Sequence, residues 1–197
     1  AQRRASGAPG PGYWQQQADY VIAVELDEAK NRILGSETIT YHNNSKDTLD
    51  YLWMQLDQNL FDPQMMAHQS RTTSGLNDQS FNQFEGLLNA QNFDGGYKIT
   101  AVKNAAGKPL KHVIVQTMMR IIPPQPLKPG GKITFSVDWS FNIIDATKIR
   151  ARMGYEFFKE DKNHLYALAQ WFPRMCAYTD VTGWQNKQYL GTGEFAL

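Results

Sequence analysis

Five apolar residues, Ile133, Phe135, Val137, Trp139 and Phe141, alternate with Thr134, Ser136, Asp138 and Ser140. A period of two sends the first set to one face of a strand and the second set to the other. The apolar face then needs a second layer to cover it, and that requirement constrains the fold more than any other feature of the chain.

The same period recurs elsewhere. Tyr20, Ile22, Val24 and Leu26 share one parity, and Asp27-Glu28-Ala29-Lys30-Asn31 supplies turn residues. Ile39 and Tyr41 then alternate with Thr38, Thr40 and His42, so the two segments predict a hairpin. After the turn Asn43-Asn44-Ser45-Lys46-Asp47, the residues Leu49, Tyr51, Trp53 and Met54-Gln55-Leu56 predict a third strand and, with the first two, an antiparallel meander. Strands resume at Tyr97–Val102, followed by a hairpin turn at Asn104–Lys108. His112 to Met119 reads as one strand, apolar on much of both faces, which ends at Pro123-Pro124-Gln125-Pro126 because proline cannot donate to the ladder. Lys128-Pro129-Gly130-Gly131 is the turn into the alternating strand.

Asp57 to Gly96 sustains no period, although Ser80 to Leu88 suits one short helix; the region reads as a long loop packed against a neighbour. Residues 1–12, rich in Arg, Ser, Gly and Pro, predict a flexible N-terminal arm. Seven to nine strands with little helix place residues 13–197 in a single all-β domain, an antiparallel β-sandwich or saddle of two or more sheets with long loops. Gly193-Glu194-Phe195-Ala196-Leu197 reads as the opening of a further strand, so the domain is expected to be cut before its last strands.

Composition excludes several functions. The formal net charge is +1 and the basic residues are scattered, which gives no electrostatic footprint for nucleic acid. No run of about 18 apolar residues is present to span a membrane as a helix. The N-terminus carries no apolar signal core, so any signal peptide is expected to have been removed already. Cys176 is the only cysteine, ruling out an intrachain disulfide and a multi-cysteine zinc site, and its apolar surroundings suit a small core residue.

Catalytic motifs are missing. There is no H-E-x-x-H, no G-x-S-x-G and no phosphate-cradling glycine loop. His42, His68, His112 and His164 are far apart in sequence, and the acidic pair Glu160-Asp161 falls in a polar turn. Asn43-Asn44-Ser45 matches a glycosylation sequon. On motif grounds the chain holds no catalytic residue and no metal ligand. The aromatics within Trp14–Tyr20 and Leu52–Asn59 suit either core packing or a platform for sugar rings.

Several segments in order carry a resemblance. They are Tyr13-Trp14-Gln15-Gln16-Gln17-Ala18-Asp19-Tyr20, Gly35-Ser36-Glu37-Thr38-Ile39-Thr40-Tyr41, Asp50 to Asn59, Ala169-Gln170-Trp171-Phe172-Pro173-Arg174-Met175, and Gly183-Trp184 through Gly191-Thr192-Gly193-Glu194-Phe195. Together they resemble the N-terminal domain of zinc aminopeptidases of the aminopeptidase N family, most closely its secreted bacterial branch, from Tyr13 to Leu197. The resemblance implies a saddle-shaped β domain that precedes a thermolysin-like catalytic domain of the same polypeptide. That absent domain would carry H-E-x-x-H, a distant glutamate ligand and G-x-M-E-N, and its zinc would activate a water against the first peptide bond of peptide substrates. This chain would then be non-catalytic, would bind no cofactor itself, and would lie in the periplasm or outside the cell.

The resemblance carries over one site residue. In the family a late strand bears a Gln two residues before Glu-Pro, and that Gln lines the pocket for the first substrate residue. Gln170-Trp171-Phe172-Pro173 matches it, with Phe172 in place of the Glu, implying a more apolar wall. The competing reading is a free-standing β-sandwich module that binds carbohydrate or protein through surface aromatics.

Overall fold

The computed structural model describes residues 2–65 and 80–188, without the side chains of 82 and 83. Strands β1 (Gln17–Asp27) and β2 (Arg32–His42) form the expected hairpin, in continuous register from Gln17 opposite His42 to Asp27 opposite Arg32. The alternating segment is β7 (Lys132–Asn142), antiparallel to β2 along its whole length. Strand β4 (Lys98–Asn104) closes the other side of β7, with a register shift between Ile99 and Ala101, so the first sheet runs β1-β2-β7-β4.

A second four-stranded sheet runs β10-β3-β6-β5, built from β3 (Leu52–Gln55), β5 (Lys111–Val115), β6 (Met118–Ile122) and β10 (Arg174–Met175). The predicted meander is therefore corrected: the third strand joins the opposite sheet, and β2 takes β7 as its second partner. The crossing is made at a buried polar corner. Asn43 donates from Nδ2 to the carbonyls of Asp47 and Leu127 at 2.8 and 3.0 Å and accepts from Ser45 Oγ at 2.6 Å. The asparagine of the sequon is thus fully buried and structural.

The expected single strand from His112 to Met119 is also corrected. It breaks at Gln116-Thr117 into the tight hairpin β5–β6, with Gln116 in the left-handed region at φ 56°. Both arms are apolar, so periodicity could not place the turn, and neither turn residue belongs to the Asn-Gly type that usually marks one.

The core lies between the two sheets. Ile33, Ile39 and Tyr41 of β2, with Phe135, Val137, Trp139 and Phe141 of β7, face Leu52 and Met54 of β3 and Met119 and Ile121 of β6. Burying each such side chain stabilises the fold by about 1.5–3 kcal/mol relative to exposure. Gly35 opposes Trp139 across β2 and β7, and a methyl group there would overlap the indole ring; the glycine is what lets the indole lie flat on the sheet.

Two small antiparallel sheets complete the strands: β8 (Gly154–Phe158) with β9 (Asn163–Ala167), and β11 (Tyr178–Thr179) with β12 (Gly183–Trp184). The fold class is all-β, as expected. The irregular region contains a 3-10 helix at Asp57–Phe61 and the helix α1 at Phe81–Asn92, longer than the sequence suggests. No described helix is long and apolar enough to cross a membrane. Gly86 lies inside α1 with only the Lys148 carbonyl near its missing methyl group, at 3.9 Å. Gly86→Ala should raise stability by about 0.5–1 kcal/mol through reduced backbone freedom in the unfolded chain. Urea melts check this; a loss of stability would show that α1 packs too closely for a methyl group.

The N-terminal residues turn back on themselves, Arg3 bridging to Pro9. Arg3 forms a two-pronged ion pair with Asp180, Nε to Oδ2 at 2.8 Å and the second nitrogen to Oδ1 at 2.9 Å, and lies over the Tyr13 ring. The expected terminal strand at Gly193–Leu197 lies outside the described residues, as does His68.

Candidate functional site

After β9 the chain crosses the inner face of the first sheet as an irregular segment, not as the strand implied for Gln170. Trp171 and Phe172 seat it. The indole of Trp171 lies 6.1 Å from that of Trp139, and Phe172 meets Tyr20 edge to face at 5.6 Å. Both side chains are half-buried packing residues. Pro173 is buried, and Arg174 and Met175 then join the second sheet as β10.

Gln170 sits at the bend with φ 52°. Its carbonyl accepts two hydrogen bonds from side chains distant in sequence: Tyr97 Oη at 3.1 Å and Gln58 Nε2 at 3.0 Å. Gln58 Nε2 also donates to the Ala169 carbonyl at 3.0 Å. Tyr97 is locked in turn, its backbone N–H donating to Asn59 Oδ1 at 2.8 Å and its ring lying edge-on to Trp139 and Phe141. The 3-10 helix exists to present these polar groups inward: Asp57, Gln58 and Asn59 are all buried. Asp57 receives Arg174 Nε at 2.9 Å, and burial still holds its carboxyl above the usual range despite that cation.

Glu37 shares this part of the core. It lies on the inward face of β2 in the same row as Ile39 and Tyr41, 1% exposed, and neither carboxylate oxygen has a hydrogen-bond partner among the described residues. Burial pushes its carboxyl up to about 8, so the protonated form prevails at pH 7, and burial likewise raises the pKa of the neighbouring hydroxyls of Tyr20 and Tyr97. Sequence reasoning missed Glu37, although its shared parity with Ile39 and Tyr41 signalled it.

The other candidates do not converge. His42 is hydrogen-bonded to Asp19 at 2.9 Å, His112 to the Leu110 carbonyl at 3.0 Å, and His164 stacks on Tyr166 and meets the tilted ring of Phe157, its cross-strand partner. Among the described residues no three His, Cys, Asp or Glu side chains come together as metal ligands. Cys176 is buried, and burial drives its thiol up to about 12, far from a reactive thiolate. Glu160 and Asp161 lie in the exposed β8–β9 turn.

The aromatic surfaces are already engaged. Trp14 stacks on Tyr178, which meets Trp184, which stacks on Tyr41. On the second sheet, Tyr51 and Trp53 meet edge to face, and the Arg120 guanidinium lies 5.8 and 6.0 Å from their centroids. The β8–β9 hairpin, by contrast, exposes large apolar side chains on both faces: Phe157 at 43% on one, Leu165 at 54% and Phe158 on the other.

No protein-family description matches the chain, and neither does any curated protein. Solved structures give a coarse likeness. The M1 zinc metallopeptidase from Deinococcus radiodurans aligns over 75% of this chain and 25% of its own, at 13% identity and a TM-score of 0.39. A single-substitution mutant of that enzyme bound to a Tyr-Ser-Ala substrate aligns over 75% and 26%, at 12% identity and a TM-score of 0.39. A two-domain M1 zinc metallopeptidase mutant bound to L-arginine aligns over 77% and 28%, at 13% identity and a TM-score of 0.38. The chain spans about a quarter of the length of the structures it matches.

Proposed function

We propose that this chain is the non-catalytic N-terminal β domain of a zinc metallo-aminopeptidase, located in the periplasm or secreted. In this reading it docks on a catalytic domain of the same polypeptide, bounds the cleft so that only a free peptide N-terminus fits, and lines the first substrate subsite with Gln170. The observation that carries it is the β8–β9 hairpin. A two-stranded hairpin is marginal on its own in water, and this one exposes large apolar side chains on both faces, as a surface covered by another domain would. The resemblance of the ordered segments supplies the identity of that domain. The engaged rings of Trp14, Tyr51 and Trp53 weigh against the alternative, a free-standing module reading sugars through an aromatic platform.

In this reading the zinc belongs to the other domain. The isolated chain should bind no stoichiometric zinc and hydrolyse no aminoacyl p-nitroanilide; chelator-sensitive turnover by it would sink the proposal. In the full-length protein, Gln170→Ala should raise KM for leucine p-nitroanilide about tenfold with zinc content unchanged, the loss expected of one hydrogen bond to a charged substrate group.

A further inference from the structure

We infer that Tyr97 and Gln58 are positioning residues for Gln170, fixing through its main chain the conformation from which its side chain meets the first substrate residue; the inference rests on the subsite role proposed above for Gln170.

Among the described residues, four other than glycine have positive φ: Asn31, Gln116, Lys162 and Gln170. The first three close the hairpins β1–β2, β5–β6 and β8–β9, where local turn geometry demands that conformation. Gln170 closes no hairpin. A left-handed residue with a side chain costs about 1–2 kcal/mol and persists only where its surroundings over-determine it.

Here the surroundings are two donors rooted in the core. Gln58 is 2% exposed and grips two successive carbonyls, those of Ala169 and Gln170. Tyr97 adds its hydroxyl to the second of these and is held by Asn59, Trp139 and Phe141. All the anchoring falls on the main chain. Among the described residues the Gln170 carboxamide makes no hydrogen bond of its own, so it is available to a ligand at a fixed origin. A bend required only for chain reversal would be met more cheaply by glycine.

The test uses the full-length protein that carries this chain, with leucine p-nitroanilide as substrate. Tyr97→Phe and Gln58→Met each remove a donor while keeping the volume close. Each should raise KM about five- to tenfold and leave kcat within about twofold, the pattern of lost substrate binding. In a Gln170→Ala background neither should raise KM further, since the residue they position no longer carries the contact. A purely structural role would instead lower the melting temperature equally in both backgrounds without moving KM. KM unchanged in Tyr97→Phe and Gln58→Met, with Gln170→Ala impaired, overturns the positioning role alone. If Gln170→Ala has no effect, the subsite reading falls and the positioning role with it. Should Tyr97→Phe fail to fold, Gln58→Met decides the question by the same outcomes.

Discussion

At pH 7 the Glu37→Met variant unfolds at a higher urea concentration than the unsubstituted chain, and the gap between them grows as the pH rises. Glu37 lies in the inward row of β2 with neither oxygen partnered among the described residues. Burial pushes its carboxyl from 4.5 up to about 8. Below pH 4.5 both the folded and the unfolded chain hold the proton, so ionisation does not distinguish them. Between 4.5 and about 8 the unfolded chain releases the proton and the folded chain keeps it. Stability therefore falls with rising pH through this window and levels off above it. The loss by pH 7 is on the order of 3 kcal/mol, a large fraction of the 5–15 kcal/mol typical of a domain. Methionine fills similar volume and carries no proton, so subtracting the variant's pH profile from the parent's isolates Glu37 from every other carboxylate. At pH 4 a residual gap of about 1–3 kcal/mol should remain, from the unpaired neutral carboxyl. Urea melts at pH 4, 7 and 8.5 measure all three regimes. A gap that does not change with pH would mean that the folded chain solvates the carboxylate, through buried water or a partner, and would refute the neutral state.

How far the sequence could be read follows from where each determinant lies. The strand β7 was legible because its alternation is local and one face turns to the core, where four of its five apolar positions are buried and the fifth, Ile133, is partly so. The sheet to which β3 belongs was not, since alternation says which face is buried and nothing about which neighbour buries it. That choice is made at Asn43, whose carboxamide binds the Leu127 carbonyl far along the chain. The β5–β6 turn was hidden by apolar residues on both sides of Gln116-Thr117. At the candidate site, Gln170 could be nominated only through the resemblance of its neighbours. Its left-handed bend was invisible because the donors that hold it, Gln58 and Tyr97, are 112 and 73 residues away. Trp171 and Phe172 pack on Trp139 and Tyr20, partners on strands far away in sequence that no local pattern could pair with them.

Gly95→Ala should cost more stability than any other glycine-to-alanine change in the described chain outside the sheets, about 3 kcal/mol. A methyl group on Gly95 would overlap the carbonyl oxygen and carbon of Phe61, which are main-chain atoms and cannot rotate away as a side chain can. Phe61 ends the 3-10 helix Asp57–Phe61 that carries Gln58 and Asn59, while Gly95 leads through Gly96 to Tyr97. Relief of the overlap must therefore separate the two segments whose contact, Tyr97 N–H to Asn59 Oδ1 at 2.8 Å, aligns both donors on the Gln170 carbonyl. Two companion variants separate this steric effect from backbone strain. Gly107 has φ 75° with nothing within 4 Å of its missing methyl group, so Gly107→Ala pays only the left-handed penalty of about 1 kcal/mol. Gly86→Ala, whose methyl group within the helix meets only the Lys148 carbonyl at ordinary contact distance, has the opposite sign. Urea midpoints should thus rank Gly86→Ala above the unsubstituted chain, then Gly107→Ala, then Gly95→Ala. If Gly95→Ala costs no more than Gly107→Ala, the 3-10 helix is not clamped against the Tyr97 segment. Gln58 and Tyr97 would then lack the rigid base from which to hold Gln170.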